Sequence, residues 1–171
     1  MMRRGLLAFL MSGALSLGGC ISLIGGYDPA ADQILNQMSE QTAMFLASAG
    51  AGKQARVATS NEAITYYAGA YDTIDRLILR AESRQGPVPC AASAGLPNLL
   101  AQPGGQTQLP DDYRRFDCRQ LQLYVLRFTL DQMKSAQDKD GILSVADIDI
   151  YGTQVKAEIQ GAITIADTSR P

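Results

Sequence analysis

From Ile64 to Ala81 the apolar residues fall at Ile64, Tyr67, Tyr71, Ile74, Ile78 and Ala81, a 3-4-3-4-3 rhythm. No strand places its side chains at that interval; an α-helix puts them on one stripe. The rhythm predicts a packed helical seam of the heptad kind. Glu62, Asp72, Asp75, Arg76 and Arg80 lie off the seam, and Asp72 and Arg76 are spaced for an i, i+4 ion pair.

The same reading extends along the chain. Asp28-Pro29 is a helix start, with aspartate as N-cap and proline at the first helical position. Ala31, Ile34, Leu35, Met38, Thr42, Phe45, Leu46 and Ala49 follow at helical spacing, and Gly50 and Gly52 end the run. Ser60, with Asn61 and Glu62 beside it, suggests the cap of a second helix, for which Gln54 is the alternative start; it stops before Gly86-Pro87-Val88-Pro89. Residues 85–110 hold five prolines and read as one long irregular loop. Pro110-Asp111-Asp112 is the expected opening of a third helix running to about Gln137. It has one stripe of Cys118, Leu121, Val125 and Phe128 and a second of Leu123, Leu126, Leu130 and Met133, as the most buried helix would. Asp138-Lys139-Asp140-Gly141 is a polar turn, and Ser144 with Asp147 three residues on makes a capping box for a fourth helix. Ile148-Asp149-Ile150-Tyr151 alternates as a strand would, but the longer spacing through Val155, Ile159, Ala162 and Ala166 favours helix. The expectation is an all-α antiparallel four-helix bundle with one long, disulfide-pinned loop, forming a single domain over residues 28–171.

The amino terminus has a different grammar. Met1-Met2-Arg3-Arg4 is basic, Gly5 to Leu17 is uncharged and mostly apolar, and Leu17-Gly18-Gly19-Cys20 closes the run. That is the layout of a secretory signal peptide, and its apolar core falls short of the roughly 20 residues a spanning helix needs. The closing residues resemble the lipobox of bacterial lipoproteins. The resemblance covers residues 1–20. It implies lipidation of the Cys20 thiol with a diacylglyceryl group, cleavage before it, and acylation of the new terminus with chains such as palmitate. Residues 1–19 would be removed and residues 20–27 would form a lipidated tether. Ile21, where aspartate would favour inner-membrane retention, points by the same resemblance to the outer membrane, facing the periplasm. Tyr27-Asp28-Pro29 soon after the cysteine is also similar to the start of uncharacterised helical lipoproteins of Gram-negative bacteria. The spacer Ile21–Tyr27 reaches about 25 Å fully stretched, so the bundle stays close to its membrane.

Composition narrows the function classes. The leader holds Arg3 and Arg4 and no acid. The 15 basic and 17 acidic side chains of the whole chain therefore become 13 and 17 in the mature part, a net −4. That balance argues against nucleic acid as a partner. The chain has no histidine, which removes the commonest general base and metal ligand and with it every Ser-His, Cys-His and His-zinc site. With Cys20 lipidated, Cys90 and Cys118 are an even pair in an oxidising compartment. Their disulfide would close a loop worth ~3.5 kcal/mol in chain entropy; two buried free thiols are the alternative.

Several fragments imitate chemistry. Gly50-Ala51-Gly52-Lys53-Gln54 lacks both the first glycine and the Ser or Thr of a phosphate loop. Asp138, Asp140, Gly141 and Asp147 fit part of a calcium-binding EF-hand loop, but Ala136 occupies its first ligand position and the bidentate glutamate is missing. The other carboxylates, Asp28, Asp32, Glu40, Asp72, Asp75, Asp131 and Glu158, read as solvated faces. Tyr66, Tyr67, Tyr71, Tyr113 and Tyr124 read first as core and second as a groove or partner surface. No catalytic residue, metal site or cofactor follows. The expectation is a non-enzymatic binding or scaffolding module, held to the membrane by lipid on Cys20 and meeting another envelope component through the 85–110 loop or a bundle face. A small-molecule- or metal-binding bundle is the second reading.

Overall fold

The computed structural model describes residues 28–52, 54–83 and 116–168, with residues 167 and 168 described by backbone alone. Four long helices make up the described chain: α1 (Pro29–Gly50), α2 (Asn61–Glu82), α3 (Cys118–Asp140) and α4 (Val145–Thr168). At 1.5 Å per residue each is about 33–36 Å long. Each packs on two neighbours, in the cyclic order α1, α2, α3, α4. Successive helices run in opposite directions, so the molecule is an all-α, antiparallel four-helix bundle.

Local chemistry sets most helix ends. The Asp28 carboxylate accepts from the amides of Ala30 and Ala31, ahead of Pro29. Ser60 Oγ accepts from the Ala63 amide at 3.1 Å. Ser144 and Asp147 bond reciprocally at the head of α4, the expected capping box. Gly141, at φ 72°, supplies the left-handed residue that ends α3. That termination carries α3 on to Asp140, three residues beyond the expected Gln137. The start of α3 is also corrected. Asp117, not Pro110-Asp111-Asp112, is the cap, and Asp117 with Gln120 forms a complete capping box. Residues 110–112 themselves lie outside the described residues.

The core is built from Leu35, Met38, Phe45 and Leu46 of α1, Tyr67, Ile74 and Ile78 of α2, Leu126, Leu130 and Met133 of α3, and Val155 and Ile159 of α4. Both expected stripes of α3 are buried. The α2 seam is rotated from its expected position: Ile64 is 55 % exposed, while Ala63, Ala70 and Leu77 are buried. Tyr67, Ile74 and Ile78 are common to both faces. Tyr67 is large enough to reach the core from a range of helix rotations, and packing against α1 and α3 selects the one that brings the alanines inward. Segment 148–151 is helix, and its alternation is not used: Ile150 is 55 % exposed.

The two ends of the bundle differ. At one, the α1–α2 and α3–α4 connections are stitched together. Arg56 Nε donates to the Leu143 carbonyl at 2.9 Å and the Leu143 amide to the Arg56 carbonyl at 2.8 Å. Val57 and Ile142 form an isolated antiparallel bridge. Gln137, 1 % exposed, donates through Nε2 to the carbonyls of Ala55 and Arg56 at 3.0 Å each. At the other end α1 and α3 begin and α2 and α4 finish, so the segments before Asp28, between Ser83 and Phe116, and after Thr168 all leave from there.

Candidate functional site

That open end carries the first candidate. Ala31, Ala81, Ala162 and Ala166 are small, so the four helix ends do not close over Leu35, Leu77 and Leu123. They enclose an apolar cavity of about 50 Å³, with Asp28, Arg80 and Arg119 supplying its polar wall. The space is small and suits a small apolar group. The charges around it are held in place. Arg80 donates to both carboxylate oxygens of Asp28, from Nη2 at 2.8 Å and from Nε. Arg119 is paired with Asp117.

The second candidate lies on the outer face of α1 and α2. Phe45 and Tyr66 stack with centroids 3.9 Å apart, and Tyr67 meets both rings edge-on. Tyr66 bonds Thr42 at 3.2 Å; burial pushes its hydroxyl up to about 12, and that bond offsets part of the rise. Gln41, Met44, Glu62, Thr65 and Gly69 complete an open groove beside the stack. Of the tyrosines, Tyr67 is in the core, and Tyr66, Tyr71 and Tyr124 are partly buried against it. Tyr67 is 3 % exposed, and its hydroxyl has no hydrogen-bond partner among the described residues. Lys134 sits 5.8 Å from the Tyr67 ring centroid and Arg127 5.6 Å from that of Tyr71. Burial first, and a hydrogen bond with Asp131 second, hold the Tyr71 hydroxyl protonated. Tyr124 stacks on Phe116, and Tyr113 lies outside the described residues.

A third, polar groove between α3 and α4 holds Asp131, Asp140, Asp147, Lys139 and Tyr151. It includes part of the EF-hand-like stretch. Two of its carboxylates are engaged in structure, Asp147 capping α4 through Ser144 and Asp131 bonded to Tyr71; Asp138, beside the groove, pairs with Lys134. Among the described residues no group of three or more acidic or cysteine side chains is placed to hold a metal ion. Asp72 and Arg76 form their expected surface pair at 3.0 Å. Glu158 is not simply a solvated acid. Half-buried, it accepts from Gln122 Nε2, and burial raises its pKa against the lowering effect of that bond.

Of the three singled-out cysteines, Cys20 and Cys90 lie outside the described residues, as does the 85–110 loop. Cys118 opens α3 at the open end, 4 % exposed. Among the described residues no helix is long and apolar enough to cross a membrane. The polar contacts that tie the bundle together, Asp28–Arg80, Gln122–Glu158 and Gln137 with the Ala55–Arg56 turn, escape sequence reasoning because their partners lie far along the chain. Only the Asp117–Gln120 box had a local signal. No protein-family model, curated protein or solved structure matches the chain.

Proposed function

We propose that this chain is a lipid-anchored protein of the bacterial cell envelope. Its bundle acts as a non-enzymatic binding or scaffolding module on the periplasmic side of the outer membrane. The observation that carries the reading is Leu17-Gly18-Gly19-Cys20 at the end of a 13-residue apolar run. Three things support it. The helical bundle starts at Pro29, a short tether away from Cys20. The chain has no histidine for the common catalytic sets. Cys118 is buried at the head of α3, compatible with a Cys90–Cys118 bridge in an oxidising compartment. The long connection starts and ends at the open end, so a partner recognised through it is met close to the membrane.

Replacing Cys20 tests the address. The Cys20→Ala protein should lose acyl labelling and move from the membrane to the soluble fraction. Retention on membranes, with a mature terminus mapping elsewhere, sinks the reading.

A further inference from the structure

The exposed apolar side chains of the bundle are unevenly shared between its ends. Among the described residues, Met44, Ile64, Ile142, Val145 and Ile150 lie in the stitched half, and Leu79 alone lies at the open end. Leu79 is 65 % exposed on the last turns of α2. Arg76, Leu79, Arg80 and Ser83 recur there at intervals of three and four, so they share one face. The two guanidiniums flanking the leucine are matched by acids, Arg76 by Asp72 and Arg80 by Asp28. This face is apolar at its centre and zwitterionic around it. A phospholipid surface is built the same way: zwitterionic headgroups over acyl chains, where an exposed leucine is buried and arginine stems keep their heads at the phosphates.

The position of the chain ends points to the same partner. Asp28 lies at this end and bonds Arg80, and it follows Cys20 by only eight residues. We propose that the bundle stands on its anchoring membrane, with the open end against the phospholipid headgroups and Leu79 inserted between Arg76 and Arg80. The stitched end, with Gly141 and Val145, then projects about 33 Å away from the bilayer. The inference rests on the lipid anchor proposed above and adds to it an orientation and a contact residue.

The lipidated full-length protein, reconstituted into phosphatidylcholine vesicles carrying a shallow nitroxide lipid, tests it. A dye is placed on Ser83→Cys or on Val145→Cys, with the proposed disulfide of Cys118 left intact. Flotation of the vesicles reads the anchor, and quenching reads the orientation. The Ser83→Cys dye should be quenched about threefold or more over the Val145→Cys dye, since interfacial contacts reach only ~10 Å into the headgroup region. Leu79→Asn should lower quenching at position 83 while flotation is unchanged. Protein that floats with both positions quenched alike, or with position 145 quenched more, overturns the orientation alone. Unchanged quenching in Leu79→Asn overturns the leucine contact. Protein that does not float overturns the anchor and the orientation together.

Discussion

Asp28 and Arg80 meet across the open end of the bundle, 52 residues apart in the chain, with Arg80 Nη2 2.8 Å from Asp28 Oδ1. One carboxylate serves two elements. It caps α1 by accepting from Ala30 and Ala31, and it binds a side chain on the last turns of α2. The residue that opens α1 is thereby fastened to the second helix, beside the small cavity that both residues line.

Removing that carboxylate should cost more than removing its partner. Asp28→Ala loses a cap worth about 1 kcal/mol together with the ion pair, and leaves Arg80 without this acceptor. Arg80→Ala loses only a pair whose cation is 40 % exposed to solvent. Thermal melting should place Asp28→Ala lower by about 3–6 °C, with Arg80→Ala much closer to the parent. Equal shifts would show that the cap contributes nothing.

Gln137→Leu is expected to be among the most damaging substitutions at a polar position. The volume is kept, but the carbonyls of Ala55 and Arg56 lose their side-chain donor in a buried site. The Arg56 carbonyl keeps the Leu143 amide, so the Ala55 carbonyl is the one left unsatisfied; a loss of roughly 1–3 kcal/mol follows, and chemical denaturation measures it. Among the described residues the Oε1 of Gln137 has no partner, so the effect comes from the donor side.

Glu158 gives the bundle a pH dependence of predictable sign. Burial, the largest influence, raises its pKa in the folded protein; the bond from Gln122 partly opposes this. A raised folded pKa means that the folded chain holds the proton more tightly than the unfolded chain. The stabilising contribution is present below the unfolded value and is lost as pH rises through the folded one. Glu158→Gln keeps an acceptor for Gln122 and removes the charge. It should melt higher than the parent at about pH 7 and match it at about pH 3, where Glu158 is protonated. A lower melting temperature at neutral pH would show that the ionised form is the favoured one.

Two glycines inside helices should respond to alanine with opposite signs. A Cβ on Gly69 meets nothing within 4 Å, so Gly69→Ala should stabilise α2 by about 0.5–1 kcal/mol. A Cβ on Gly161 would come within 3.1 Å of Gln122 Nε2, the atom that bonds Glu158. Gly161→Ala should therefore disturb the α3–α4 contact, and the difference between the two melting curves measures the price of close approach.

What was legible in the sequence is what acts over three or four residues. The starts of α1, α2 and α4 are written in Asp28-Pro29, Ser60 and Ser144 with Asp147, and the end of α3 in Gly141. A cap bonds amides two or three positions away, within reach of a local pattern. The same holds for the Asp72–Arg76 pair and for the helical class of the whole. The Asp117 box was equally local and was hidden behind Pro110-Asp111-Asp112, which looks just as much like a helix start.

The sequence by itself determined that the chain forms amphipathic helices with marked ends, and it carries the cysteine motif on which the proposed address rests. Only the tertiary structure decided how each helix is rotated and what joins its ends. Spacing leaves the rotation of α2 open, because Ala63 and Ala70 compete with Ile64 and Tyr71 for the inward positions. That competition is settled by the space left between α1 and α3, where small residues permit close approach. The bonds from Arg80 to Asp28, from Gln137 to Ala55 and between Arg56 and Leu143 span 52, 82 and 87 residues. No local pattern encodes such pairs, since they exist only once the helices have been brought side by side.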